Sequence, residues 1–388
     1  MRVRQINWSK QSGWTGAADP DASLVLYFGG RAALACGARY NELRRQFPGA
    51  HIVGCSTGGQ INNDDINDDE IVAAAVAFDA TRLRLSRQEI SDPGHSRACG
   101  EAIGRDLSAG DLAGVFVLSD GLNVNGSELV AGMRTVIGAD TPLTGGLAGD
   151  GADFRQTLVG ADCVPRARTI AAVGLYGAAI QVGHGCAGGW DLFGPRRQVT
   201  KSAGNVLFAL DGRPALELYE RYLGPEESKD LPGSALLFPI QVHDAEKPET
   251  AVVRTVLAID RAAGSMTFAG DIPQGWTAQF MRGNLDRLAA GAAEAARQAR
   301  GGVHGGKKGS EDGNKNGEIF SILVSCIGRR LLMGQRANDE VEAAGAELGR
   351  DTPRVGFYSY GEISPHAQSG LCELHNQTMT ITTLAEVA

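Results

Sequence analysis

The chain has 388 residues, long enough for two domains and for a core that buries most of its apolar surface. Hydrophobic residues at 43% against 21% charged exclude a disordered chain, and 53 glycines predict many tight turns and close backbone approaches. A net charge of −8, spread along the chain, excludes a basic footprint for nucleic acid. No run approaches the roughly 18 apolar residues of a membrane span, and the start MRVRQINWSK lacks a secretory h-region, so the expected compartment is the cytoplasm.

Three stretches share one plan. An apolar strand from Leu24 (LVLYFGG) leads to a helix, RAALACGARYNELRRQFPG, that ends at Pro48-Gly49; the strand HIVGC then runs into Ser56-Thr57-Gly58-Gly59. The strand VFVLSDG (115–121) precedes a helix near Ser127–Ile137 and the Gly-rich run 141–151. Far downstream, IFSILVSCIG (319–328) precedes a helix over 333–349 and then TPRVGFYSYGE (352–362). A strand–helix–strand crossover leaves both strands parallel, and ligands of such sheets bind beyond the carboxyl ends. Cys55–Gly59, Ser119–Asn125, Gly145–Gly151 and Ser359–Glu362 are therefore candidate rim loops of one or two pockets.

Between these units lie runs that read as antiparallel strands at 71–78, 83–85, 168–177, 205–210, 235–242, 252–260 and 265–270, with helices at 214–223 and 280–298. The expected fold is α/β: two intimately packed modules, 22–212 and 213–388, with mixed parallel and antiparallel sheets flanked by helices. Residues 301–317, GGVHGGKKGSEDGNKNG, read as a flexible insertion with a solvated His304. Seven cysteines, none in a C-x-x-C pair, predict small buried thiols rather than disulfides, a zinc ribbon or a c-type haem.

Several residues carry candidate chemistry. In the loop at Cys55, Ser56 and Thr57, a thiol or hydroxyl on a sharp turn beside free amides is either a nucleophile or a cap; no G-x-S-x-G elbow or His/Asp partner supports the first. The acidic run NNDDINDDE (62–70) lacks the glycine and glutamate of a calcium loop and reads as solvated. In GGLAGDGADFRQTLVG (145–160), Gly149, Asp150 and Arg155 would hold an anionic or amphoteric ligand, or would close a tight connection. The polar group is densest near the C-terminus, where Tyr358, Tyr360, Glu362, His366, His375 and Asn376 crowd between β-formers. If LCELHNQTMTIT is one strand, Glu373, His375, Gln377 and Met379 share a face. A buried polar pocket needs such groups, because each loses free energy unless it is satisfied.

Gly54–Gly59, GGLAGDGADF, VTKSAGNVLFALDGRPALELYERYLG (199–224), Ser325-Cys326 with MGQR, and above all GFYSYGEISP with CELHNQTMT resemble the FIST sensory family over nearly the whole chain. The resemblance implies a FIST N module followed by FIST C and a small-ligand sensor in signal transduction rather than an enzyme. No kinase, cyclase or methyl-acceptor segment is present, so output is expected through another protein. A free-standing branch of the family contains haem, senses nitric oxide and regulates a histidine kinase; likeness to it implies a b-type haem with His184, His366 or His375 as axial ligand. Around His184, Gly183, Gly185, Gly188, Gly189, Trp190 and Phe193 are expected to admit a flat macrocycle. The alternative is an amino acid or similar metabolite held by Arg155, Glu362 and the amides near Gly149, and a third reading is an enzyme using Cys55 or His375. A homodimer is compatible with either sensor reading.

Overall fold

Three strand–helix–strand units carry the fold, each built about a parallel strand pair. The computed structural model describes residues 1–231, 233–303, 318–366 and 369–387. In the first unit Leu24–Gly29 and His51–Ser56 pair in parallel; the crossover carries helices α1 (Arg31–Leu34) and α2 (Ala38–Gln46). The single helix expected over 31–49 is broken because Gly37 sits at φ 73°, in the left-handed region where a helix cannot continue. After α3 (Ser96–Leu107), the second unit pairs Leu112–Ser119 with Leu143–Leu147 through α4 (Gly126–Arg134), whose start is fixed by the Asn125 side chain accepting from the Ser127 and Glu128 amides.

Helices α5 (Ala215–Leu223) and α6 (Leu285–Gly301) follow, and the third unit pairs Ile319–Cys326 with Arg354–Ser359 through α7 (Ile327–Met333) and α8 (Ala337–Leu348). In each unit the first strand also takes an antiparallel neighbour: Ile71–Ala77, Thr169–Tyr176 or Met379–Glu386. These strands read as almost continuous apolar runs because both faces of each sheet are covered.

The units are tied by exchange of their next strands. Gln60–Asn62, which follows the first pair, leaves its own sheet and pairs with Arg354–Ser359. Gly361–Pro365, which follows the third pair, joins Leu143–Leu147, and Val159–Ala161, which follows the second, joins His51–Ser56. The three crossing loops bond in a closed ring: Gly58 N donates to Tyr358 O (2.8 Å), Tyr360 N to Leu147 O (3.1 Å) and Gly149 N to Ser56 O (2.9 Å). The result is three six-stranded mixed sheets with an approximate three-fold plan. Their inner faces meet in one core, where Leu26 and Phe28, Phe116 and Leu118, and Phe320, Val324 and Phe357 pack together. Phe28 and Phe357 stack at 4.7 Å.

The fourth sheet is wholly antiparallel and closes over one side of this body. It contains Trp190–Ala203, Val206–Leu210 and the strands between Ile240 and Gly283, and it has its own core around Phe268, Phe280 and Tyr219. Residues 280–283, expected to open a helix, instead finish the strand Thr277–Gly283; α6 begins only where the Asn284 side chain caps the Asp286 and Arg287 amides. The run 252–260 is likewise two strands, divided at Thr255. The acidic run 62–70 is a short hairpin on the third sheet, and its Asp64 and Asp68 pair with Arg354 (2.6 Å) and Arg330 (2.7 Å). Of the Gly-rich insertion, Gly301 ends α6, while residues 304–317 with His304 lie outside the described residues.

Candidate functional site

Each parallel pair ends at a carboxyl edge, and the three edges have different fates. The first opens into a polar cleft of about 530 Å³ walled by Arg31, Thr57, Gly58, Gln60, Asp150 and Arg330. Its charges are mutually engaged: Arg31 lies 3.7 Å from Asp150 and 3.1 Å from Asp153, and Arg330 bonds both oxygens of Asp68. The second edge opens into a cavity of about 820 Å³, roofed by the fourth sheet, with Leu122, Val124, Asn125, Leu147, Phe154 and Tyr360 on one side and Asn205, Val256, Leu257, Thr267 and Phe268 on the other. The third edge is filled by side chains of the protein itself.

The loop Gly149–Leu158 separates the two openings. Asp150 accepts from the Arg155 amide (2.9 Å), the Gln156 amide (2.8 Å) and the Tyr360 hydroxyl. Phe154, held at φ 52°, stacks on the Tyr360 ring at 4.6 Å. Tyr360 therefore faces the larger cavity with its ring while its hydroxyl reaches the carboxylate that walls the smaller cleft. Burial and the Asp150 carboxylate both raise its phenol well above the usual range. On the opposite rim, buried Asp120 accepts from the Leu122 and Asn123 amides (2.8 Å each) and from the Arg168 amide (2.6 Å), shaping the loop that carries Leu122 and Asn125.

The third edge holds a buried ion pair, Arg329–Glu340 at 2.7 Å, with both side chains fully inaccessible. Glu340 also accepts from Ser325 (2.8 Å) and Tyr358 (2.9 Å), and Arg329 donates to the Leu288 and Gly188 carbonyls. Beside it, Glu362 accepts from Ser359 Oγ (2.6 Å) and from the amide and hydroxyl of Thr378 (3.2 and 3.0 Å). Burial pushes the Glu362 carboxyl up to about 8, so at neutral pH it is predominantly protonated. The buried Asn376 side chain, the Ser364 hydroxyl and Gln377 Oε1 have no hydrogen-bond partner among the described residues.

The residues singled out from the sequence are thus distributed over three places. Thr57 and Asp150 wall the polar cleft, Tyr360 walls the large cavity, and Tyr358 and Glu362 lie in the packed third edge, with Asn376 buried nearby. Ser56 and Gly149 belong to the ring of loop bonds, and the Ser56 hydroxyl accepts from the Leu158 amide at 2.8 Å. Arg155 is exposed and contributes its backbone amide to Asp150. Cys55 is fully buried in the inter-sheet core, and burial raises its thiol well above the usual value, so it offers no accessible thiolate. All seven cysteines are free. Leu257, Thr267, Phe268 and Asn205 escaped sequence reading because nothing in their local pattern marks which strands of the fourth sheet roof the cavity.

The histidines occupy other surroundings. His375 Nε2 faces the Ser364 carbonyl at 2.9 Å, and burial lowers the ring to about 3, which keeps it neutral. His366 stacks on it at 5.9 Å and turns Nε2 toward the Ala251 carbonyl. The final stretch is two strands, Cys372–His375 and Met379–Glu386, because the turn between them puts Gln377 at φ 61°; the shared face expected for Glu373, His375, Gln377 and Met379 does not form. His184 is half-buried on Ile180–Ala187. The flanking Gly183 and Gly185 are covered by α6: a Cβ there would lie 2.1 Å from the Ala299 carbonyl oxygen and 1.9 Å from that of Ala295. The small residues make room for a helix, not for the macrocycle expected at this place. Among the described residues no cluster of three or more His, Cys, Asp or Glu side chains has metal-site geometry, and no helix is long and apolar enough to cross a membrane.

Comparison with known proteins agrees with this architecture. The FIST N domain matches residues 23–213 and the FIST C domain matches residues 215–365. No curated protein matches the chain. The two matches are consecutive, leave only Pro214 between them and together cover most of the chain, which belongs to the FIST family, with FIST N and FIST C both present.

Proposed function

We propose that the protein senses a small molecule bound in the 820 Å³ cavity at the second carboxyl edge. FIST domains are small-ligand sensors in signal transduction, and this cavity has the size and concavity of a ligand site. The observation that carries the reading is the Tyr360–Asp150 hydrogen bond, which joins the wall of this cavity to the wall of the polar cleft. A ligand pressing on Phe154 and Tyr360 therefore acts on Asp150 and its Arg31 partner at the surface. We assign the output to a separate protein, with a histidine kinase as the expected class.

A b-type haem sensing nitric oxide fits these residues poorly. Among the described residues no His, Cys or Met lines the large cavity and no Arg or Lys is there to receive propionates, and His375 and His366 direct Nε2 at carbonyl oxygens. The amino-acid alternative meets the same lack of a cation in this cavity, and Arg155 and Glu362 stand apart from it.

Both readings are tested together. A ligand screen by thermal shift should find compounds that raise Tm, since binding at about 100 times Kd adds about 2.7 kcal/mol, and Thr267→Trp, which puts an indole at the cavity wall, should diminish the shift. Stabilisation unchanged in Thr267→Trp would overturn the site. Hemin uptake giving a Soret band that is lost on replacing His184, His366 or His375 would establish the haem reading in its place.

A further inference from the structure

We infer that the ligand of the large cavity is an uncharged, predominantly apolar molecule, an inference that rests on the placement of the ligand site above. Among the described residues the cavity wall contains no Lys or Arg, and its one carboxylate, Glu128, is engaged by Arg97 through two bonds of 2.7 and 3.0 Å.

The remaining polar side chains are largely occupied by the protein. Asn125 caps α4 with Oδ1 and gives Nδ2 to Asp271 at 3.1 Å. Asn205 gives Nδ2 to the Phe268 carbonyl at 2.8 Å, which leaves its Oδ1 as a hydrogen-bond handle. The Tyr360 hydroxyl is committed to Asp150 and to the Gly151 carbonyl.

A charge brought into such a wall loses its hydration without gaining a counter-charge. An amino acid would incur that cost at both ends. A diatomic gas would leave most of 820 Å³ unfilled.

The entrance supplies an independent observation. Seven large hydrophobic side chains are exposed among the described residues, and three of them, Leu122 (36%), Phe154 (37%) and Leu257 (43%), line this one cavity. Exposed apolar groups gathered at one opening mark a surface that is covered in use. Burying them against an apolar ligand is favourable, and the aromatic pair Phe154–Tyr360 offers a flat face for an aromatic or alkyl segment.

The test uses the full chain and the neutral fluorophore N-phenyl-1-naphthylamine, displaced by decanol, decanoate or decylammonium. The probe should bind with enhanced fluorescence, and decanol should displace it at concentrations at least tenfold below either charged homologue. Leu257→Arg, at the exposed mouth, should bring decanoate up to or past decanol by providing the missing counter-charge. Decanoate or decylammonium competing as well as decanol on the unaltered protein would overturn the inference, as would failure of the neutral probe to bind. Probe affinity unchanged in Thr267→Trp would instead overturn the placement of the site, so the two failures are distinguishable. Should Thr267→Trp not fold, Leu257→Arg still decides the ligand class.

Discussion

Glu362 and His375 face each other across the pair Gly361–Pro365 and Cys372–His375, and their titrations oppose one another. Glu362, with Arg329, Cys326 and Cys186 about it, rises from 4.5 to about 8, so the native state keeps a proton that the unfolded chain releases. Its contribution to stability is present below pH 4.5 and is lost as pH climbs through about 8. His375, near His366 and Arg254, falls from 6.5 to about 3, so the unfolded chain takes a proton that the native state refuses, and stability is lost as pH drops below 6.5 toward 3. Glu362→Gln should remove the fall in urea-unfolding free energy between pH 6.5 and 8 and unmask a rise from 4.5 to 6.5, whereas His375→Gln should remove the rise below 4.5 and unmask a fall from 4.5 to 6.5. Unchanged slopes would show that these groups titrate normally. At the cavity wall, Tyr360→Phe removes one donor from Asp150 and should cost about 1 kcal/mol while leaving room for ligand. The polar residues near the C-terminus were legible as buried groups from their chemistry alone. That most of them pack against each other was not, because partner identity depends on strands brought in from elsewhere.

The α7 and α8 helices are coupled by Arg329–Glu340, and the same guanidinium holds the Leu288 carbonyl of α6. Arg329→Met strands a buried carboxylate and should destabilise by about 3–5 kcal/mol, with much of the loss recovered in Arg329→Met/Glu340→Met; chemical denaturation of both variants measures it. Helix α6 rests on Ile180–Ala187 so closely that Gly185→Ala must push the Ala295 carbonyl away, at a cost of about 1–3 kcal/mol. Most strand cores were readable as apolar runs, yet boundaries failed where one residue's conformation or one cap intervened, at Gly37, Asn284 and Gln377. Such positions are decided by local backbone geometry that hydrophobic periodicity does not report.

Because Gln60–Asn62 and Ile180–Ala187 complete a sheet whose centre is Ile319–Cys326, Arg354–Ser359 and Met379–Glu386, neither half of the chain closes its own sheets. Residues 1–203 expressed alone should fail to give a cooperative thermal transition, and the whole chain should lose its three exchanged sheets in one transition by calorimetry and circular dichroism. The three strand–helix–strand units, their parallel pairing and the carboxyl-edge loops followed from the sequence, since apolar runs, glycine breaks and right-handed crossovers are local consequences of composition and chirality. Only the tertiary structure decided which edge stays open. One is plugged by Arg329 and Glu340, one is left polar, and one becomes an apolar cavity because residues some hundred positions away, around Leu257 and Phe268, fold over it. Contacts of that sequence separation are set by how whole sheets pack, a property no single stretch of the chain encodes.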